Sequence, residues 1–135
     1  MIGDRRVTVF YDETMLGHNP EVDLPFLPSR VEKRVRTILT ELDTEWSYPE
    51  HPGRLTAIKK YLEANPIPGV HFKTGALATR KQLARVHTES YLDDIFALEG
   101  KRAWLDQDTT AVSPDSIKAA MSAAGTAIRA VEETV

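Results

Sequence analysis

At 135 residues, with 20 acidic against 17 basic side chains and a formal net charge of −3, the chain has room for one domain and lacks the clustered basic surface of a nucleic-acid binder. It contains no cysteine, which excludes a disulfide framework and a thiolate metal site. No apolar run approaches the roughly 20 residues of a membrane span, and the charged start is unlike a signal peptide, so a cytoplasmic protein that binds neither membrane nor nucleic acid is expected.

Residues 6–11, RVTVFY, form a β-branched and aromatic run between Gly3-Asp4 and Asp12-Glu13, which predicts a strand covered on both faces. Prolines at 20, 25 and 28 then mark an irregular loop. Ser29 and Glu32 make a capping box for a helix over 30–42, in which Val31, Val35, Ile38, Leu39 and Leu42 recur at helical spacing. Its other face carries Arg30, Lys33, Arg34 and Arg36 and reads as solvated in preference to a binding patch. A second helix is predicted over 52–64, with Leu55, Ile58, Tyr61 and Leu62 on its buried face and a stop at Asn65-Pro66. Val70, His71, Phe72 and Lys73 make a second strand, and the strand–helix–strand order predicts parallel pairing through a right-handed crossover.

Thr79 and Gln82 form another capping box, opening a short helix around Leu83 and Val86. Thr88 caps the next helix, which places Tyr91, Leu92, Ile95, Phe96 and Leu98 on one apolar side and ends at Gly100 as its C′ residue. The acidic loop 105–110 leads into a long helix over 114–135. Ser113 is its expected N-cap, Pro114 stands where a missing N–H is harmless, and Asp115 places negative charge at the positive end of the dipole. Ile117, Met121, Ala124, Ile128, Val131 and Val135 form one apolar stripe, while Ala119, Ala120, Ala123, Gly125 and Ala127 leave room for close approach. Together these features predict a helix pressed against a sheet, with the loop before it facing a site.

Independent signs of chemistry are sparse. There are four histidines but no H-E-x-x-H and no tight His/Asp cluster, and neither a phosphate-binding glycine loop nor a G-x-S-x-G elbow is present. Taken alone, His18 reads as a structural or surface histidine, and His87 as a hydrogen-bonded packing residue.

Several segments, in order, resemble the histone deacetylase family, above all its bacterial amidohydrolase and acetylpolyamine deacetylase branches. Tyr11-Asp12-Glu13, Met15-Leu16 and His18 look like the family's opening strand and first active-site loop. In Tyr48-Pro49-Glu50-His51-Pro52-Gly53-Arg54, the residues Pro49, Glu50, Pro52 and Arg54 match a His-Pro-Glu-x-(Pro/Ala)-x-Arg pattern, with Tyr48 in place of the histidine. Val86-His87 with Tyr91-Leu92 resembles a further family segment. So do Asp106-x-Asp108-Thr109, Ser113-Pro114-x-Ser116 and the following Ala119-Ala120 and Ala123-Ala124-Gly125.

The resemblance implies an α/β fold: the N-terminal portion of the arginase/deacetylase-type parallel-sheet three-layer architecture, with 1–135 a partial deacetylase domain. Residues 19–47 then form a first-loop insertion, of the kind that narrows the channel and helps build a homodimer in polyamine-deacetylase relatives. Tyr48 makes the structural zinc site of some eukaryotic relatives unexpected here. Asp108 matches the family aspartate that accepts hydrogen bonds from the substrate backbone, a role suited to a carboxylate; its bland alternative is a turn or cap aspartate, the role assigned to Asp106. Arg54 matches an arginine beneath the active site that contacts backbone carbonyls, and without the motif it would read as an exposed first-turn residue. His18 joins it as active-site support. The family's catalytic zinc ligands, tandem histidines and oxyanion tyrosine all follow the helix with which this sequence ends. The expectation is therefore an N-terminal segment of a zinc-dependent enzyme acting on acetyl-lysine or acetylpolyamine amides. Alone it should be inactive, with no catalytic residue and no bound metal. The competing reading is a non-enzymatic helical interaction module derived from the same fold, and in-frame Pro-Gly-His-His and Asp-x-His runs downstream would favour the enzyme.

Overall fold

The computed structural model describes residues 6–19, 31, 50–105 and 110–134. Two parallel strands, β1 (Val7–Tyr11) and β2 (Val70–Thr74), pair in register from Val7 with Val70 to Tyr11 with Thr74. Bonds from Val7 N to Gly69 O (2.9 Å) and Gly75 N to Tyr11 O (3.3 Å) extend the ladder at both ends. Gly69, at φ +84°, makes the left-handed turn into β2 that a side chain would disfavour. Helix α1 (Gly53–Ala64) lies between the strands in sequence, as the parallel arrangement requires.

The sheet's surroundings follow from local chemistry. Asp12 caps a 3₁₀ turn over Glu13–Gly17, its carboxylate accepting from Thr14 N at 2.9 Å. Thr79 and Gln82 form the expected capping box of α2 (Arg80–Leu83), with bonds of 3.2 and 2.8 Å. Thr88 caps α3 (Glu89–Phe96), on which Leu92 is the buried residue. The Arg80 guanidinium ties α2 to α3 through Glu89 and Asp93 at 2.7 and 2.6 Å, all three side chains exposed. His87 and Tyr91 pack ring on ring, their centroids 5.2 Å apart. A short antiparallel pair, β3 (Ala103–Trp104) with β4 (Ala111–Val112), brackets the loop in between. The long helix α4 (Ser116–Glu132) then packs on the 3₁₀ turn and β1.

Four expectations need correction. Gly100 is left-handed (φ +73°) but is not the C′ residue of α3, whose C-cap is Ala97; it lies in a later turn closed by Lys101 N to Leu98 O at 3.0 Å, and its own N–H donates to Pro114 O at 3.0 Å. The long helix begins at Ser116, not at Pro114, because residues 113–116 form a turn in which Ser116 N donates to Ser113 O. The face of α4 that packs inward is also not the full apolar stripe. Ile117 is buried, but Met121, Ala124 and Ile128 are half-buried and Val131 is 62% exposed. The inward face instead runs Ala119, Ser122, Gly125 and Thr126. Here small size matters more than hydrophobicity, since a Cβ on Gly125 would stand 2.2 Å from Ala76 O and 2.3 Å from Ala78 N. Ala78 N in turn donates to Met121 O at 2.8 Å, so the chain after β2 lies directly on the helix backbone. Of the other small residues, Ala120, Ala123 and Ala127 face outward. On α1, Leu55 and Leu62 are half-buried while Ile58 and Tyr61 are 59% and 66% exposed, so the buried face expected there is only half covered. The helix expected over 30–42 and the insertion at 19–47 lie outside the described residues except at their edges, where Val31 is helical.

Candidate functional site

The first loop meets the start of α4 through a compact set of hydroxyls. Asp12 and the 3₁₀ turn bring the chain off β1 so that residues 17–19 reach the 113–116 turn. Ser113 and Ser116 are 2% and 8% exposed, and their hydroxyl oxygens lie 2.8 Å apart. Ser113 N donates to Ser116 Oγ at 2.7 Å. Ser113 Oγ accepts from Asn19 N at 3.0 Å and approaches Gly17 O at 3.3 Å. His18 Nδ1 completes the set, 2.7 Å from Ser116 Oγ. Asp115 presses on the same loop, its Cβ 2.9 Å from where a Cβ on Gly17 would stand.

Electrostatics link this junction to the Pro-Glu-His-Pro-Gly-Arg turn. Burial holds the His18 imidazole below the ordinary histidine range, and the Glu50 carboxylate pulls it back up. Glu50 also pairs with Arg54 at 3.5 Å across one turn, both side chains mostly exposed. His18 and Arg54 therefore share Glu50 as a neighbour. Asp108 and Asp106 lie outside the described residues.

Beyond the carboxyl ends of β1 and β2, where parallel sheets of this kind place ligands, lies an open groove of about 470 Å³. Tyr11, Asp12, Glu13, Lys59, Glu63 and Phe72 are among its lining residues. Lys59 Nζ sits 5.3 Å from the Tyr11 ring centroid and 2.6 Å from Glu63. Burial, with Glu13 nearby, raises the Tyr11 hydroxyl above its ordinary range, while the hydrogen bond from Thr14 lowers Asp12. The Ser122 hydroxyl adds to that lowering without reaching hydrogen-bond geometry. It and Thr126 Oγ1 are buried hydroxyls with no partner among the described residues. Sequence reasoning missed the serine–histidine junction. Its only local sign is the Ser-Pro-x-Ser spacing, and the partner histidine stands 98 positions away.

A parallel β1–β2 pair joined through α1, with α4 packed on β1, is an α/β arrangement of the kind that opens an arginase/deacetylase-type domain. The histone deacetylase domain model matches residues 48–135, and the chain belongs to the histone deacetylase family. The crystal structure of the HDA15 HD domain is similar, with a TM-score of 0.64 at 25% identity over 89% of this chain and 30% of that one. The chain thus spans under a third of the length of that structure. Among the curated proteins none matches. The family is generally zinc-dependent. Among the described residues no group of three or more His, Asp or Glu side chains is placed to hold a metal ion, so those residues do not fit a zinc.

Proposed function

We propose that this chain is the opening segment of a zinc-dependent deacetylase-type amidohydrolase that hydrolyses acetyl-lysine or acetylpolyamine amides. The observation that carries the proposal is the family match itself. It spans residues 48–135, from the Tyr48 turn and Arg54 to the loop and long helix at 105–135. Within this reading the segment contributes scaffold and rim, and zinc and the proton-transfer groups come from the rest of the domain. Asp108 accepts hydrogen bonds from the substrate, Arg54 supports the floor of the site, and His18 fixes the first loop. The resemblance of Asp106-x-Asp108-Thr109, Ser113-Pro114-x-Ser116 and the alanine-rich start of the long helix supports the bacterial amidohydrolase and acetylpolyamine branch. The same reading carries a cytoplasmic homodimer, with the insertion at 19–47 shaping the channel.

The test compares N-acetyl-lysine peptides with acetylspermidine on the full-length product. Release of acetate from either class supports the reading, and a preference for acetylspermidine places it in the polyamine branch. A full-length product that releases no acetate from either, and whose downstream sequence lacks in-frame Pro-Gly-His-His and Asp-x-His runs, would leave the interaction module in its place.

A further inference from the structure

The protons of the serine–histidine junction can be counted. Ser116 Oγ has one proton and two lone pairs, and one lone pair is taken by Ser113 N–H at 2.7 Å. With His18 neutral and its proton on Nε2, the Ser116 hydroxyl donates to Nδ1 at 2.7 Å, and the Ser113 hydroxyl can donate to Ser116 at 2.8 Å. With a proton on Nδ1, the direction must invert. Nδ1–H donates to Ser116 Oγ, the Ser116 hydroxyl turns to Ser113 Oγ, and the Ser113 hydroxyl turns to Gly17 O at 3.3 Å. Asn19 N–H donates to Ser113 Oγ in both arrangements. Neither leaves a buried hydroxyl proton without an acceptor, which is the expensive outcome in such a place.

We propose that Ser113 and Ser116 are positioning residues forming a two-hydroxyl relay, which holds the first loop on the start of the long helix and reverses its hydrogen bonds when His18 takes a proton. The hold therefore survives the titration of His18, and what remains is the desolvation of the imidazolium. The charged groups facing the junction are Glu50, from the turn before α1, and Asp115, from the turn before α4. The Glu50 carboxylate favours the protonated form, which also keeps the loop in place. If the segment is the rim of a deacetylase site, as proposed above, the relay keeps that rim's geometry constant across the pH range in which histidine titrates. The relay itself needs no substrate.

The test is amide hydrogen exchange at positions 19 and 113 of the full-length protein, corrected for intrinsic rate, from pH 8 to 5. Protection is taken relative to that of the Ser122 amide in α4, so that the general loss of stability on protonating His18 cancels, and in the natural protein this relative protection should change less than about threefold. Ser113→Ala leaves the Ser116 hydroxyl without an acceptor only when Nδ1 carries a proton. Protection at position 113 should then fall about tenfold on the acid side, as expected for roughly one lost hydrogen bond. Ser113→Thr, which keeps the hydroxyl, should restore the flat profile. Should Ser113→Ala fail to fold, ¹⁵N imidazole shifts of the natural protein decide: neutral His18 should carry its proton on Nε2. A neutral Nδ1–H tautomer, a flat profile in Ser113→Ala, or acid loss of relative protection in the natural protein would each overturn the relay. Acetate release is scored separately. Its absence beside an intact exchange pattern counts against the enzyme reading alone.

Discussion

Replacing Gly125 with alanine sets two effects of opposite sign against each other. In a free helix the change is favourable by about 1 kcal/mol, because alanine loses less backbone entropy than glycine. Here the new Cβ would lie 2.2 Å from Ala76 O, 2.3 Å from Ala78 N and 2.5 Å from Leu77 C. All three are backbone atoms, so no rotamer change relieves the contact. The chain at 76–78 must move off the helix, disturbing the Ala78 N to Met121 O bond, a loss of about 0.5–1.5 kcal/mol. Overpacking at a buried position typically costs about 1–3 kcal/mol more. The unfavourable effects win, and Gly125→Ala should destabilise the folded protein by about 1–3 kcal/mol in urea denaturation. Ala123→Gly, on the outward face of the same helix, should cost about 1 kcal/mol from propensity alone. If Gly125→Ala proved stabilising by the propensity amount, the 76–78 segment would not rest on α4, and the packing described here would be wrong.

In the full-length product, Asp108→Ala should lower kcat/KM by an amount equivalent to about 1.5–3 kcal/mol and Asp106→Ala far less; equal effects would mean the loop was aligned wrongly. Acid should destabilise the fold in two steps. His18 titrates below its ordinary value of 6.5, so stability is full above that pH and falls as pH drops to its lowered value. Asp12 lies below its ordinary 3.8, so its contribution is present above that value and is lost as pH falls through the lowered one. His18→Gln should remove the upper step in a pH series of denaturation midpoints, and an unchanged upper step would assign it elsewhere. The 135-residue segment expressed alone should self-associate, because Ile58, Tyr61 and Val131 are each more than half exposed and its main sheet has two strands among the described residues. A monodisperse monomer with a cooperative melt, seen by light scattering and calorimetry, would instead favour a self-sufficient module.

What could be read from the sequence was what is local. Thr79 with Gln82, and Thr88 before α3, announce their caps because both partners lie within one turn. The strands at 7–11 and 70–74 are legible as β-branched or aromatic runs on either side of a helix, and their parallel pairing follows from that order. The orientation of α4 was not legible. An apolar-stripe argument assumes that hydrophobicity decides which face packs, whereas here the 76–78 backbone lies too close to Gly125 for a Cβ, and the buried positions beside it are the small Ala119, Ser122 and Thr126. The β3–β4 pair has two residues per strand, too short for any periodicity. The candidate site was visible only in pieces. His18 and Arg54 were singled out by motif, but their common neighbour Glu50 and the hydroxyl pair at 113 and 116 depend on contacts between distant segments.

The most direct test of the central claim, that this chain opens a deacetylase domain whose metal and acid–base groups lie elsewhere, is zinc content measured together with acetate release on two samples. One is the 135-residue segment alone and the other is the full-length product, each dialysed and then assayed on acetyl-lysine and acetylspermidine. The segment should carry no stoichiometric zinc and release no acetate, and the full-length product should carry about one zinc and release acetate in a chelator-sensitive way. One equivalent of zinc and chelator-sensitive turnover in the segment alone would contradict that claim.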